Sequence, residues 1–327
     1  MITDLRPLSI GEILDRTINL YRSRFALFFG IVIPPTALYY ALYALIFTLY
    51  SQTYRSAGHH GLLKLLAYTS NYLPYLLHPI LLSLALAAIN KTVLNLYSDQ
   101  PVGLSRAYRQ IQPHWRRYIA IRFLVVMVGF GPMLLYMAIV FRGESLQTSV
   151  SSMFDGNSPF VFFFPLLLFY GCGYLVSIRL AFAVPASVCE NLGVASSIKR
   201  SLVLTRKCTG RILLLAMMFV ALSYGLMYPT SFAFHAGSLR TWQGHKATGL
   251  LFTTLGWVGS FLIGSVLYPL YSIAAALLYI DQRIRKEGFD IELMMQRANL
   301  ADTETLPEPA TPPLFPSQTN PPDPVLG

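Results

Sequence analysis

Of 327 residues, 54% are apolar and only 12% charged, and the mean hydropathy is +0.50. A soluble domain carries about 25% charged residues, so a surface that faces water over most of its area is excluded. The net charge of +10 would suit a nucleic-acid ligand if it lay on one solvated face, but it is distributed between apolar spans, and nucleic acid is excluded as a partner.

In chain order, the first 24 residues carry Asp4, Glu12 and Asp15 and lack the apolar run of a cleaved leader. Ser9-Ile10-Gly11-Glu12 is a capping box that predicts a helix start. Ile10, Ile13, Leu14, Ile18, Tyr21 and Phe25 line one face of that helix, with Arg16 and Arg22 on the other and Arg24 beside them. Six apolar spans follow, at 25–49, 72–96, 118–141, 160–188, 212–234 and 250–280. A bilayer core needs about 20 helical residues, and only helices or closed barrels satisfy their backbone there. Spans this long and evenly apolar are helical. The expected fold is therefore all-α, a polytopic membrane bundle of six transmembrane helices over residues 1–300.

Between the second and third spans, Leu104, Ala107, Tyr108, Ile111, Trp115 and Tyr118 repeat the spacing of the first amphipathic face, with Arg106, Arg109, Arg116 and Arg117 elsewhere. Before the fifth, Val194, Ala195, Ile198, Leu202 and Thr205 form a weaker copy with Lys199, Arg200, Arg206 and Lys207. From Ile10 to Leu104 to Ala195 the period is a little over ninety residues. The chain thus reads as three repeats of an amphipathic interfacial helix plus a helical hairpin. Two consequences stay open: basic interfacial helices hold the bundle against anionic lipid, or a site lies between the repeats, as in transporters.

Alternate loops hold Lys and Arg in the ratio twenty to five, which places both termini in the cytoplasm of a plasma (inner) membrane. The basic residues named above are the expected anionic-lipid contacts, and a membrane-protein partner is a further possibility. Prolines fall in or beside every span, and Pro34-Pro35 predicts the sharpest break. Gly173, Ser177 and Ala181, and separately Gly256, Ser260 and Gly264, give small-xxx-small faces for close helix packing.

Charged groups at membrane depth are costly and mark candidate sites. Lys91, Arg122, Arg179 and Glu190 qualify by position, with Arg179 the deepest. Arg179 and Glu190, eleven residues apart on one helix, would lie about 16 Å apart along the axis and could not pair. A cluster of Arg179, Glu190, Asp281 and Arg122 is expected instead, joining helices as a structural ion pair or lining a polar gate. His78, between Pro74 and Pro79, is a possible pathway residue or a packing histidine. Cys172, Cys189 and Cys208 have no partner on the oxidising side, and His59 and His60 lack a third ligand. Phosphate-loop, dinucleotide, zinc-protease and serine-hydrolase motifs are absent, so no enzyme activity, cofactor or metal is expected.

After the sixth span, Asp281 to Asp290 packs six charges, and Gly288 and Asp290 predict a stop and a new cap. Asp281 and Glu287 are acids in a basic region, expected to pair with Arg179 or Arg122. Ile291, Leu293, Met294, Met295 and Leu300 give a short apolar face. From Ala301 to Gly327, eight prolines predict a disordered cytoplasmic tail with polyproline character; its PxxP matches are either ligands or compositional accidents.

LRPLSIGEILDRTINLYRSRF at the start, RLAFAVPASVCENLGVASSIKRSLVLTR in the middle and YIDQRIRKEGFD near the end together resemble the glycerophosphoryl diester phosphodiesterase membrane domain family. This is a group of bacterial six-span integral membrane proteins, and the similarity covers residues 3 to 295. The resemblance implies the membrane part alone, without the soluble catalytic barrel that gives the family its name, and so an integral membrane protein of undefined role.

Overall fold

The computed structural model describes residues 6–56, 61–98, 100–140, 159–242 and 244–297. The tail 301–327, Leu300, His59, His60 and residue 141 of the third expected span lie outside the described residues. Every regular element among them is helical. They run α1 (Ile10–Ser23), α2 (Phe25–Ser56), α3 (Gly61–Tyr97), α4 (Leu104–Ile111), a 3-10 turn (Gln112–His114), α5 (Trp115–Val140), α6 (Pro159–Arg179), α7 (Ala183–Cys189), α8 (Val194–Thr205), α9 (Thr209–Trp242), α10 (Lys246–Glu287) and α11 (Phe289–Arg297).

Among the described residues, five segments are helical, long and apolar enough to cross a membrane: Phe25–Ile46, Leu77–Tyr97, Leu167–Cys189, Thr209–Gly237 and Ala247–Glu287. They differ sharply in burial. Over half of the best window in the α3 and α10 segments is buried inside the protein, against 17% in α9. So α3 and α10 form the centre of the bundle, and α9 presents Met217, Tyr224, Tyr228 and Phe232 outward. An apolar face of that size in a polytopic chain meets lipid rather than water.

Lipid tails are as apolar as the side chains, so close approach and hydrogen bonds must hold such helices together. On α6, the Gly173 face packs against α5: a Cβ at Gly173 would lie 2.2 Å from the Gly129 carbonyl oxygen. On α10, a Cβ at Gly256 would lie 2.8 Å from the Thr230 carbonyl oxygen of α9. The Ser260 and Thr230 hydroxyls share a hydrogen bond of 2.9 Å across the same crossing. Both small-residue faces are thus contact faces, although Gly264 meets Tyr268 of its own helix.

The capping box at the start of α1 is formed in full, with Ser9 Oγ accepting from the Glu12 amide and the Glu12 carboxylate accepting from the Ser9 amide. These bonds hold the Glu12 carboxyl below the usual carboxylate range, the Ser9 amide contributing most and Arg6 adding to it. The sign follows: this cap is fully present above the ordinary carboxylate pKa and is lost as pH falls through the lowered one. The buried residues of α1 are Ile13, Thr17 and Tyr21, while Ile18, on the expected apolar face, is exposed. In α4, Ala107 and Ile111 are buried as the spacing predicts, while Leu104 is exposed.

Three expectations need correction. First, Pro34-Pro35 does not break α2, which runs unbroken from Phe25 to Ser56. Proline 35 has no N–H to give the carbonyl of Ile31 one turn back. The Tyr108 hydroxyl of α4 donates to that carbonyl instead. The freed acceptor is satisfied from outside, and the interfacial helix is docked by the same bond. Second, the span expected over 160–188 is not one helix: α6 ends at Arg179 and α7 begins at Ala183. Third, Asp290 does not cap α11. Gly288, at φ 66°, ends α10 in the left-handed region and α11 starts at Phe289, with Asp290 in its first turn.

The Tyr108 bond makes a double-mutant prediction. Tyr108→Phe leaves a part-buried carbonyl without a donor and is expected to destabilise by about 1–3 kcal/mol. Pro35→Ala restores an N–H to that carbonyl, and in its background the same change should lose most of its effect. Denaturant unfolding of the four proteins in mixed micelles measures both; equal losses in the two backgrounds would refute the assignment.

Candidate functional site

A dense polar structure lies at one end of the bundle, where the last turns of α10 meet the starts of α1 and α9 and the second half of α8. Asp281 has a fully buried side chain. Its oxygens accept from the Leu8 amide at 2.7 Å, from Arg211 Nη1 at 2.7 Å and from Arg285 Nε at 2.9 and 3.1 Å. Gln282 Nε2 adds a bond of 3.2 Å. The same two arginines donate their other nitrogens to the Leu8 carbonyl, Arg211 at 2.6 Å and Arg285 at 2.7 Å. One peptide segment ahead of α1 is therefore gripped through both its N–H and its C=O. A buried carboxylate is tolerable only when its lone pairs are filled in this way.

One turn along, Glu190 accepts from Arg200 Nε at 2.8 and 3.0 Å and from the Tyr279 hydroxyl. Arg200 reaches on to Glu287 at 2.5 Å, and Arg283 bonds Glu287 at 3.2 Å and Glu292 at 3.3 Å while its guanidinium lies 3.8 Å over the Phe289 ring. Lys286 Nζ donates to the carbonyls of Leu204 at 2.9 Å and Arg206 at 2.8 Å, closing the last turn of α8 where a cation complements the helix dipole. Arg117 does the same for the loop before α8, donating to the carbonyls of Asn191 and Leu192 at 3.1 and 2.9 Å.

The break between α6 and α7 is sewn by α8. Ser201 Oγ donates to the Arg179 carbonyl at 2.8 Å and accepts from the Phe182 amide at 3.2 Å. Thr205 Oγ1 donates to the Arg179 carbonyl at 3.3 Å. Of its expected apolar stripe, α8 buries only Thr205. Its buried face is Ser197, Ser201, Leu204 and Thr205, while Ala195 and Leu202 are exposed. Hydroxyls go inward because an interrupted helix leaves backbone groups that only a polar neighbour can satisfy.

The expected cluster of Arg179, Glu190, Asp281 and Arg122 does not form. Arg179 ends α6 with an exposed side chain, and its contribution is its carbonyl. Because the helix breaks at residues 180–182, Arg179 and Glu190 do not share a helical face at a fixed rise. Asp281 takes Arg211 and Arg285, and Glu287 takes Arg200 and Arg283, in place of Arg179 or Arg122. Arg211, Tyr279, Lys286 and Ser201 were missed, since only the fold brings them to their partners. His78 is packed between Tyr39 and Tyr268, ring centroids 4.4 and 5.1 Å away, with Nε2 buried and without a hydrogen-bond partner among the described residues.

The expected lipid contacts divide. Arg16 lies against buried Tyr97, and Arg117 and Arg200 are engaged as above. Arg22, Arg24, Arg106, Arg109, Arg116, Lys199, Arg206 and Lys207 are exposed. Arg106 also donates to the Pro101 carbonyl at 2.9 Å, and Arg116 stands 5.4 Å from the Trp115 ring centre.

Arg122 has a separate setting. It lines a cavity of about 230 Å³ between α3, α5, α6, α7, α9 and α10, with Asn90, Tyr174, Ser177, Tyr271 and Ser272 as the other polar residues of the wall. Arg122 Nε and Asn90 Oδ1 are buried and have no hydrogen-bond partner among the described residues.

Asp281→Asn removes the charge that both arginines and the Leu8 amide converge on. Breaking a buried pair costs about 3–5 kcal/mol, and because Arg211 and Arg285 keep some exposure the low end, about 3 kcal/mol, is expected. Limited proteolysis should then cut ahead of Ser9 in the variant and not in the parent; unchanged stability and cleavage would disprove the clasp. No family model matches this chain, and no curated protein or solved structure matches it either.

Proposed function

We propose that this chain is a non-enzymatic, six-span protein of a bacterial inner membrane, which organises anionic lipid and membrane partners at the inner leaflet. The span beyond the five long segments is α5, the third in chain order, whose apolar run matches the expected 118–141. The order short helix, long helix, long helix recurs from α1, from α4 and from α8, which supports the reading as three repeats. The similarity in YIDQRIRKEGFD and its companion stretches supports membership of the membrane domain family named above.

The observation that carries the functional reading is how charge is spent at the polar end. Glu190, Asp281 and Glu287 are consumed by Arg200, Arg211, Arg283 and Arg285. Eight other basic side chains of the short helices and their flanks stay exposed, beside the outward apolar side chains Ile18, Leu104, Trp115 and Leu202. Basic groups next to outward apolar ones suit a helix lying in the headgroup layer. With both termini cytoplasmic, that layer is the inner leaflet.

A transporter with its path between the repeats is the second reading, and the Arg122 cavity is what favours it. The two diverge in liposomes: solute uptake lost in Arg122→Gln but kept in Arg179→Ala would establish transport over organisation.

In nanodiscs containing a fluorescent anionic lipid, energy transfer from a donor on the protein is expected to show enrichment around the chain. Changing Arg22, Arg24, Arg106 and Arg109 to Gln should abolish most of it, at about 1 kcal/mol for each cation near the surface. Enrichment that survives the quadruple change rejects the lipid-organising role. Single cysteines in a cysteine-free background test the orientation: position 240 should label from outside intact cells and position 106 should not.

A further inference from the structure

A second polar feature lies inside the bundle, away from the basic face, and its chemistry differs. Arg122 sits two turns into α5 and lines the cavity with no ion pair or hydrogen bond to any described residue. The seven acids among the described residues are Glu12, Asp15, Glu190, Asp281, Glu287, Asp290 and Glu292, and none of them lines this space. A guanidinium cannot shed its proton at any physiological pH. Leaving it uncompensated among Val125, Val126, Phe130, Ile178 and Ile212 is costly. Elsewhere in the same protein that cost is avoided: Arg200, Arg211, Arg283 and Arg285 all have carboxylate partners. Arg122 is the exception, and it faces space.

The space has the character of a ligand site. Its walls are mostly apolar, with a few convergent polar groups, as small-molecule sites usually are. Asn90 adds a buried acceptor oxygen with no donor among the described residues. A guanidinium fork accepts an oxyanion in a bidentate manner, and an unfilled amide oxygen accepts a hydroxyl. The volume of about 230 Å³ is enough for a phosphate with a short polar substituent.

We propose that the cavity binds a phosphate-type oxyanion carrying a neighbouring hydroxyl, the anion on Arg122 and the hydroxyl on Asn90 Oδ1. That chemistry is found in the headgroup of a hydroxylated anionic phospholipid and, without the hydroxyl, in free inorganic phosphate. The site stands independently of the basic face: lipid enrichment by the surface arginines survives if the cavity proves empty, and the converse also holds.

The full chain in a neutral detergent is titrated with short-chain phosphatidylglycerol, with short-chain phosphatidylcholine and with inorganic phosphate. Thermal unfolding and native mass spectrometry report binding. One phosphatidylglycerol retained per chain, with a raised unfolding midpoint and no effect of phosphatidylcholine, is the expected result. Arg122→Gln should weaken that binding by roughly 10- to 100-fold. Ala216→Leu, which keeps the charge and fills the wall, should weaken it as well. A phosphate effect that depends on Arg122, without one from the lipid, assigns the site to the free anion. Arg122→Met should raise the midpoint of the ligand-free protein, because it removes a half-buried charge with no counter-ion among the described residues; this separates a binding site from a structural arginine. Binding that is unchanged in Arg122→Gln, or no binding of either anion, overturns the proposal. So does a lowered midpoint in ligand-free Arg122→Met.

Discussion

One buried carboxylate organises the polar end of this protein. Asp281 sits near the end of the longest described helix with its side chain out of solvent, and its partners tie that helix to two distant parts of the chain. Arg211 begins α9, Arg285 is one turn on, and Leu8 precedes α1. Between apolar helices the hydrophobic effect gives little reason to prefer one arrangement over another in lipid. A charge that must be neutralised by particular groups does give one. The grip on Leu8 fixes where α1 starts, and α1 leads directly into α2.

The same logic recurs wherever the backbone is interrupted. Pro35 frees a carbonyl and Tyr108 fills it; the chain breaks after Arg179 and Ser201 fills both sides; α8 ends and Lys286 closes its last carbonyls. In each case a defect in one helix is repaired by a side chain of another, so the repair is also the docking contact. Close glycine crossings at Gly173 and Gly256 then allow the long helices to approach. The closing stretch YIDQRIRKEGFD supplies a disproportionate share of these contacts: Tyr279, Asp281, Gln282, Arg283, Arg285, Lys286 and Glu287 each hold a named partner.

The helical class, the capping box, the glycine stop at 288 and the small-residue faces were readable because each depends on neighbours in sequence. Hydropathy and spacing carry that information. What could not be read was pairing. Asp281 and Glu287 stood out as acids in a basic region, yet Arg211 lies 70 residues from Asp281 and Arg200 lies 87 from Glu287. No local pattern selects among so many arginines. The inward face of α8 is not legible in its apolar stripe for a related reason: the broken helix beside it requires hydroxyls. Arg122 was singled out by depth alone, and its cavity is a property of six helices together.

The clasp on Leu8 also orders events in time. Its two halves are 273 residues apart, and a chain emerges from synthesis with Leu8 early and Asp281 late. Until the final helix is in the bilayer, the segment ahead of α1 has no carboxylate to receive its amide and no arginine pair to hold its carbonyl. A chain stalled before that helix therefore keeps a loose leading segment that a finished one does not.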